Sequence, residues 1–280
     1  MLLKGILNLL CAGSIVLFFY IILCGVNYYR YPFSYYAKLE VRESTVEELY
    51  SLCESLALQA SELREKVPLT DQDGVFQLSS NSMYQVADMA DKAYQSLSKK
   101  FGVLGGVYAS PKTVMLSRVM SRTEITGIFF PFTMEANVNT DISNYSIPSV
   151  MCHELAHLRG FMREDEANFI AYLACMESDN IEFKYSGIMS ALIVSGNALY
   201  DQDTELYFQI REHYSEDVVR DIRANSAYWQ QFENTVISAV SDKINDTYLK
   251  ANSQIDGVKS YGRMVDLLLA QYREDNKTSE

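Results

Sequence analysis

The longest apolar block comes first. From Ile6 to Val26 the chain runs 21 residues without a charge, interrupted only by Asn8, Ser14 and small residues. A bilayer core takes about 20 apolar residues as helix, so the pattern predicts a membrane span. A cleaved signal peptide is the competing reading, but the block is long for one and no small-x-small cleavage site precedes Asn27. Tyr28, Tyr29, Tyr31 and Phe33 follow directly, the aromatic enrichment expected at a membrane interface. Beyond them the period becomes that of amphipathic helices. Ser44-x-x-Glu47 has the form of a capping box, and Leu49, Leu52, Cys53, Leu56 and Leu63 recur near helical spacing. They predict a helix to about Lys66, ended by Pro68. The turn Asp71-Gln-Asp-Gly74 precedes a second helix over about 82–100, and Gly102, Gly105 and Gly106 then break the pattern.

Between Thr113 and Asn139 the character changes. Thr126-Gly-Ile-Phe-Phe130 and the stretch Thr133 to Asn139 alternate or run apolar, with β-branched and aromatic residues, and predict a small sheet or hairpin. A polar loop over 139–146 leads into a helix starting at Ser149 or just before it, and beyond Cys175 the chain reads as four or five more helices. Tyr185 to Tyr200 is nearly uncharged, but it is short for a span and holds Ser186, Gly187, Ser190, Ser195, Gly196 and Asn197. It reads as a buried helix. The predicted fold is mainly α with a small β-sheet (α+β), behind an N-terminal transmembrane helix.

About 250 residues follow the span, enough for one domain with a substantial core. Residues 1–30 read as the anchor and 31–280 as that domain. The net charge of −12 argues against a phosphate-binding surface, so nucleic acid is not an expected partner. Cys11 and Cys24 lie in the apolar block, and Cys53, Cys152 and Cys175 in helical contexts, which reads as buried thiols rather than a disulfide framework.

The chemistry is concentrated in His153-Glu154-Leu155-Ala156-His157, an H-E-x-x-H run using two of the three histidines. Residues four apart share a helix face, so both imidazoles can reach one metal ion while Glu154 points toward a water on it. Met151, Cys152, Leu155, Ala156 and Leu158 are uncharged and would bury the other faces. A catalytic zinc takes three protein ligands, and the helix supplies two. Gly160 lets the helix end and the chain turn back. A second helical segment then opens on Glu164-Asp165-Glu166, seven to nine residues past His157. Glu164 is the expected third ligand, because Asn168 lies four residues later on its face and can hydrogen-bond the far nitrogen of a ligating histidine. Glu166 is the rival, and Asp165 reads as a first-turn charge favoured by the helix dipole. Cys152, about 100 degrees round the helix from His153, is not an expected ligand. His213 reads as a surface or cap residue.

These residues predict a zinc-dependent peptidase acting on a peptide or protein substrate: a zinc-activated water, with Glu154 taking its proton and passing it to the leaving amine. Tyr261 and Arg263, in a Ser-Tyr-Gly-Arg run, are candidate donors to the oxyanion. The strand ending in Glu135-Ala-Asn-Val-Asn139 is a candidate to pair with an extended substrate. The alternative is a catalytically silent membrane-bound sensor or assembly protein with a structural metal site.

Three stretches carry a resemblance: Cys24-Gly-Val-Asn-Tyr-Tyr-Arg30, Phe132-Thr-Met-Glu-Ala-Asn-Val-Asn139 leading to the H-E-x-x-H run, and Ser260-Tyr-Gly-Arg-Met-Val-Asp-Leu-Leu268. Together they resemble a bacterial family of membrane-anchored proteins, a domain of unknown function predicted to contain zinc metallopeptidases. The metal motif alone resembles the gluzincins, whose third ligand is a glutamate on a following helix. Their membrane members read E-x-x-A-D there, which Glu164 to Asn168 matches with Asn in place of Asp, at a shorter spacing from the second histidine than is usual. The resemblance implies a zincin-like fold and a catalytic domain outside the cytoplasm. The charges flanking the span, Lys4 against Arg30, Lys38 and Arg42, lean the other way. It also implies further membrane segments ahead of this one, so the chain reads as a short or N-terminally incomplete form.

Overall fold

A computed structural model describes residues 2–233 and 264–277, with Lys243 and Thr247 between them. The first apolar block is one helix, α1 (Leu2–Leu23), none of whose residues is buried by the rest of the protein. At 1.5 Å per residue it is about 33 Å long, enough to cross a bilayer core of about 30 Å. A 3₁₀ turn (Gly25–Tyr29) and a short helix α2 (Phe33–Ala37) connect it to the body.

The body is mainly helical, with a small mixed sheet. Helix α3 (Val46–Glu65) opens on a capping box one residue later than the sequence suggested. Thr45 is the cap, its Oγ1 accepting from the Glu48 N–H while the Glu48 carboxylate accepts from the Thr45 N–H, so Ser44 and Glu47 do not form the pair. Helix α4 (Met83–Lys100) follows, then strand β1 (Lys112–Thr113), helix α5 (Ser117–Arg122), strand β2 (Gly127–Phe130) and strand β3 (Glu135–Val138). Helices α6 (Ile147–Leu158), α7 (Glu164–Glu177), α8 (Ile181–Gln202), α9 (Thr204–Arg211) and α10 (Glu216–Gln230) complete the continuous part, and a C-terminal helix (Met264–Lys277) packs on α3, α7 and α8. The uncharged stretch 185–200 lies within α8, and Tyr185, Ile188, Met189, Leu192 and Leu199 are fully buried there, as a core helix requires.

The sheet order is β1-β3-β2. β3 runs parallel to β1 (Lys112 opposite Asn137) and antiparallel to β2 (Phe130 opposite Glu135). The expectation that Glu135–Asn139 pairs with a substrate strand is not met as stated, because β3 is the central strand, paired with β2 along its length and with β1 at Asn137 and Val138. The outer edge of β2 has no partner strand among the described residues.

Two interior features fix the frame. Phe33 meets Phe101, Phe161 and Phe169 edge-on at 5.3 to 6.1 Å, tying the chain just past α1 to the helices that carry the H-E-x-x-H run and the acidic cluster. On the far side, buried Asp221 of α10 accepts from Arg64 Nε (2.6 Å), Tyr185 Oη (2.7 Å) and the Phe76 N–H (2.8 Å). His213 stands on the surface with its Nε2 3.4 Å from Glu54, outside the candidate site.

Candidate metal centre

Helix α6 buries Met151, Cys152, Leu155, Ala156 and Leu158, which leaves the His153–Glu154–His157 face turned toward α7 and the sheet. The helix ends as its sequence requires. Gly160 adopts φ +84°, its N–H donates to the His157 carbonyl (2.8 Å) and the Phe161 N–H to the Ala156 carbonyl (3.1 Å), a Schellman closure. The positive φ is what requires glycine here; a Cβ would also come within 2.8 Å of Arg30 Nη1, the movable end of a long side chain. This turn brings α7 back across α6.

Three side chains converge as a result. Nε2 of His153 lies 3.2 Å and Nε2 of His157 3.6 Å from the two carboxylate oxygens of Glu164. The far nitrogens are fixed by oxygens: His153 Nδ1 is 2.7 Å from Asn168 Oδ1, and His157 Nδ1 is 2.8 Å from the Phe161 carbonyl. Since both oxygens accept, each Nδ1 carries the hydrogen and each Nε2 is the nitrogen turned to the shared space. Around an ion with bonds of about 2.0–2.1 Å, tetrahedral ligand atoms stand about 3.3 Å apart, whereas a charge-assisted hydrogen bond is about 2.7–2.9 Å. At 3.6 Å, His157 and Glu164 stand beyond such a bond, whereas the 3.2 Å between His153 and Glu164 lies within reach of one. Burial disfavours charge on His153, but the hydrogen bond and charge of Glu164 outweigh it and raise its pKa to about 9. Burial, assisted by the charge of His153, depresses His157 to about 4 against the pull of Glu164. Of the two imidazoles, the one against Glu164 at 3.2 Å is thus the one that holds a positive charge more readily.

Glu154 stands beside this cluster, 3 % exposed, with Oε2 lacking a hydrogen-bond partner. Burial lifts its pKa to about 8, opposed by the charge of His153 and reinforced by that of Glu164. A cation at the cluster would favour its ionised form. The carboxylate lies against the start of β2, where a Cβ on Gly127 would fall 2.3 Å from Oε1. Gly127 is a site residue that the motif did not reveal; the available signal was an isolated glycine inside a strand pattern, which marks close approach. The Phe161 carbonyl was equally hidden, being a backbone atom.

Glu166 is placed elsewhere. It is buried, accepts from the Phe33 N–H (3.0 Å) and lies 3.8 Å from Arg163, and burial raises its pKa to about 7. It secures the chain after α1 and does not join the cluster. Asp165 lies in the first turn of α7, and Cys152 is fully buried on the core side of α6. Tyr261 and Arg263 lie outside the described residues. Glu164→Ala is expected to abolish zinc retention by the purified chain while Glu166→Ala keeps it; the reverse pattern in metal analysis would reassign the third ligand.

The sequence profile of a family described as "Protein of unknown function (DUF3810)" matches residues 1–269. No curated protein and no solved structure gives a significant match.

Proposed function

The chain belongs to the DUF3810 family, whose description assigns no activity, and from the chemistry of its site we propose a membrane-anchored, zinc-dependent metallopeptidase that hydrolyses peptide bonds with Glu154 as general base. The observation that carries this reading is the convergence of His153, His157 and Glu164, whose candidate ligand atoms lie within 4.8 Å of one another, with both Nδ1 positions tied to oxygens. Zinc bound by these three residues would supply Lewis-acid polarisation of a carbonyl and lower the pKa of water toward 7. Asn168 and the Phe161 carbonyl hold the imidazoles in the ligating tautomer. Glu154, next to the cluster and without a partner for Oε2, is placed to take a proton from water and return it to the leaving amine. The unpaired outer edge of β2, beginning at Gly127 beside Glu154, offers an extended peptide a strand to join. A purely structural metal site has no use for a buried carboxyl group whose Oε2 makes no hydrogen bond, which costs stability where it stands.

Retention of α1 as an anchor, rather than its removal as a signal sequence, is supported by the packing at its end. The Cys24 thiol donates to the Met162 thioether (3.6 Å), Tyr28 is buried, and Arg30 Nη1 donates to the Arg159 carbonyl (2.9 Å). Cleavage at this junction would strip contacts from the turn that closes α6.

The test uses the full chain in detergent or nanodiscs. Stoichiometric zinc by metal analysis is expected, together with cleavage of a mixed peptide library that a chelator removes and added zinc restores. A protein that binds no zinc, or one that retains zinc and cleaves nothing, would overturn the proposal.

A further inference from the structure

The eight residues Gly127–Met134, Gly-Ile-Phe-Phe-Pro-Phe-Thr-Met, carry no charge in a chain whose net charge is −12. They form β2 and the turn into β3, where a tip facing water would hold polar turn residues. Instead Ile128, Phe130, Phe132 and Met134 stand between 39 and 46 % exposed, and the Phe130 and Phe132 rings lie 5.6 Å apart. Single exposed apolar residues are ordinary; a contiguous run of this kind marks an interaction surface.

The position of the tip identifies what covers it. Phe129, between the two exposed residues of β2, packs against the small cluster that Cys24 and Tyr28, just past α1, form with Met162. At about 3.3 Å per residue, Phe132 lies within roughly 10 Å of that contact. Headgroup layers add about 5–8 Å on each side of the hydrocarbon core, so with α1 in a bilayer the tip is within reach of the interfacial layer. Tyr29, Tyr31 and Tyr35 are exposed just past the same exit, as interfacial aromatics are.

We infer that the β2–β3 tip is a membrane-docking element, its apolar side chains seated in the interfacial layer of the bilayer that holds α1. The inference rests on α1 being an anchor and needs neither zinc nor hydrolysis. Docking brings the start of β2, and with it Glu154, to the membrane surface.

The chain has one tryptophan, Trp229, so Trp229→Phe gives a silent background. In that background, Phe132→Trp, Phe18→Trp and Tyr84→Trp are each made in the full chain and placed in nanodiscs of phosphatidylcholine brominated along its acyl chains. Tyr84 is an exposed control near the start of α4, whereas Phe101 at the other end of that helix touches Phe33 by the exit from α1. The expected result is loss of emission for Phe18→Trp, loss with a blue shift for Phe132→Trp that is strongest with bromines near the headgroup, and neither for Tyr84→Trp. Emission from Phe132→Trp that matches Tyr84→Trp while Phe18→Trp is quenched overturns docking and leaves the anchor standing. An unquenched Phe18→Trp overturns both.

Discussion

Glu154→Gln is expected to lower peptide hydrolysis by about 10²–10⁴-fold, the range for loss of a positioned general base, while leaving zinc content unchanged. The substitution keeps the size of the side chain and removes its charge and its ability to accept and return a proton. No hydrogen bond to Oε2 is lost, because none is made. A second variant reaches the same carboxylate from the other side. Gly127→Ala would put a methyl 2.3 Å from Oε1 and 2.8 Å from Cδ of Glu154, and either the carboxylate or β2 must move. A displacement of about 1 Å in a catalytic group can cost about 10²-fold, so a loss of that order is expected, again with zinc retained because the ligands sit on α6 and α7. Kinetics on a cleaved library peptide with parallel metal analysis reads both variants. Full activity in Glu154→Gln would remove Glu154 from the mechanism; full activity in Gly127→Ala would show that the contact does not position it.

The parts of this site legible in sequence are those set by helical period. His153 and His157 share a face at any i, i+4 spacing, and Glu164 with Asn168 repeats the same arithmetic on α7, so the cluster and the bond from Asn168 to His153 follow from local geometry once Gly160 turns the chain. What escaped depends on tertiary placement. β3 reads as an edge strand because its parallel partner β1 is only two residues long and shows no alternation, so nothing in the sequence announced Lys112–Thr113 beside it. The capping box was displaced by one because Ser44 and Thr45 precede Glu47 and Glu48 in matching order; only the Oγ1 to N–H distance separates the two. Glu166 could not be distinguished from Glu164 by composition. Its burial against the Phe33 N–H settles where it points, and that contact spans 133 residues.

The same limit hides a buried ion pair that bears on stability. Arg64 and Asp221 lie 157 residues apart with no pattern linking them, yet both are buried, and Asp221 also receives Tyr185 and the Phe76 N–H. Asp221→Ala is expected to cost about 3–5 kcal/mol, because it leaves the Arg64 guanidinium inside the protein without its counter-charge and strands two further donors. For a body of this size that is a fall in Tm of roughly 6–20 °C, measured by circular dichroism on the full chain in detergent. The loss is not the worth of the pair, since charged partners are desolvated in bringing them together. Replacing both, as Arg64→Met with Asp221→Leu, should therefore recover much of the deficit, leaving the Tyr185 hydroxyl and the Phe76 N–H as the residual cost. If Asp221→Ala melts with the wild type, the ion pair does not hold α10 against α3 and α8. If the double variant is as unstable as the single one, the stranded donors rather than the unpaired charge dominate the penalty. Either way zinc bound at the proposed site on α6 and α7 should be retained below the melting transition, because none of His153, His157 and Glu164 is bonded to this network.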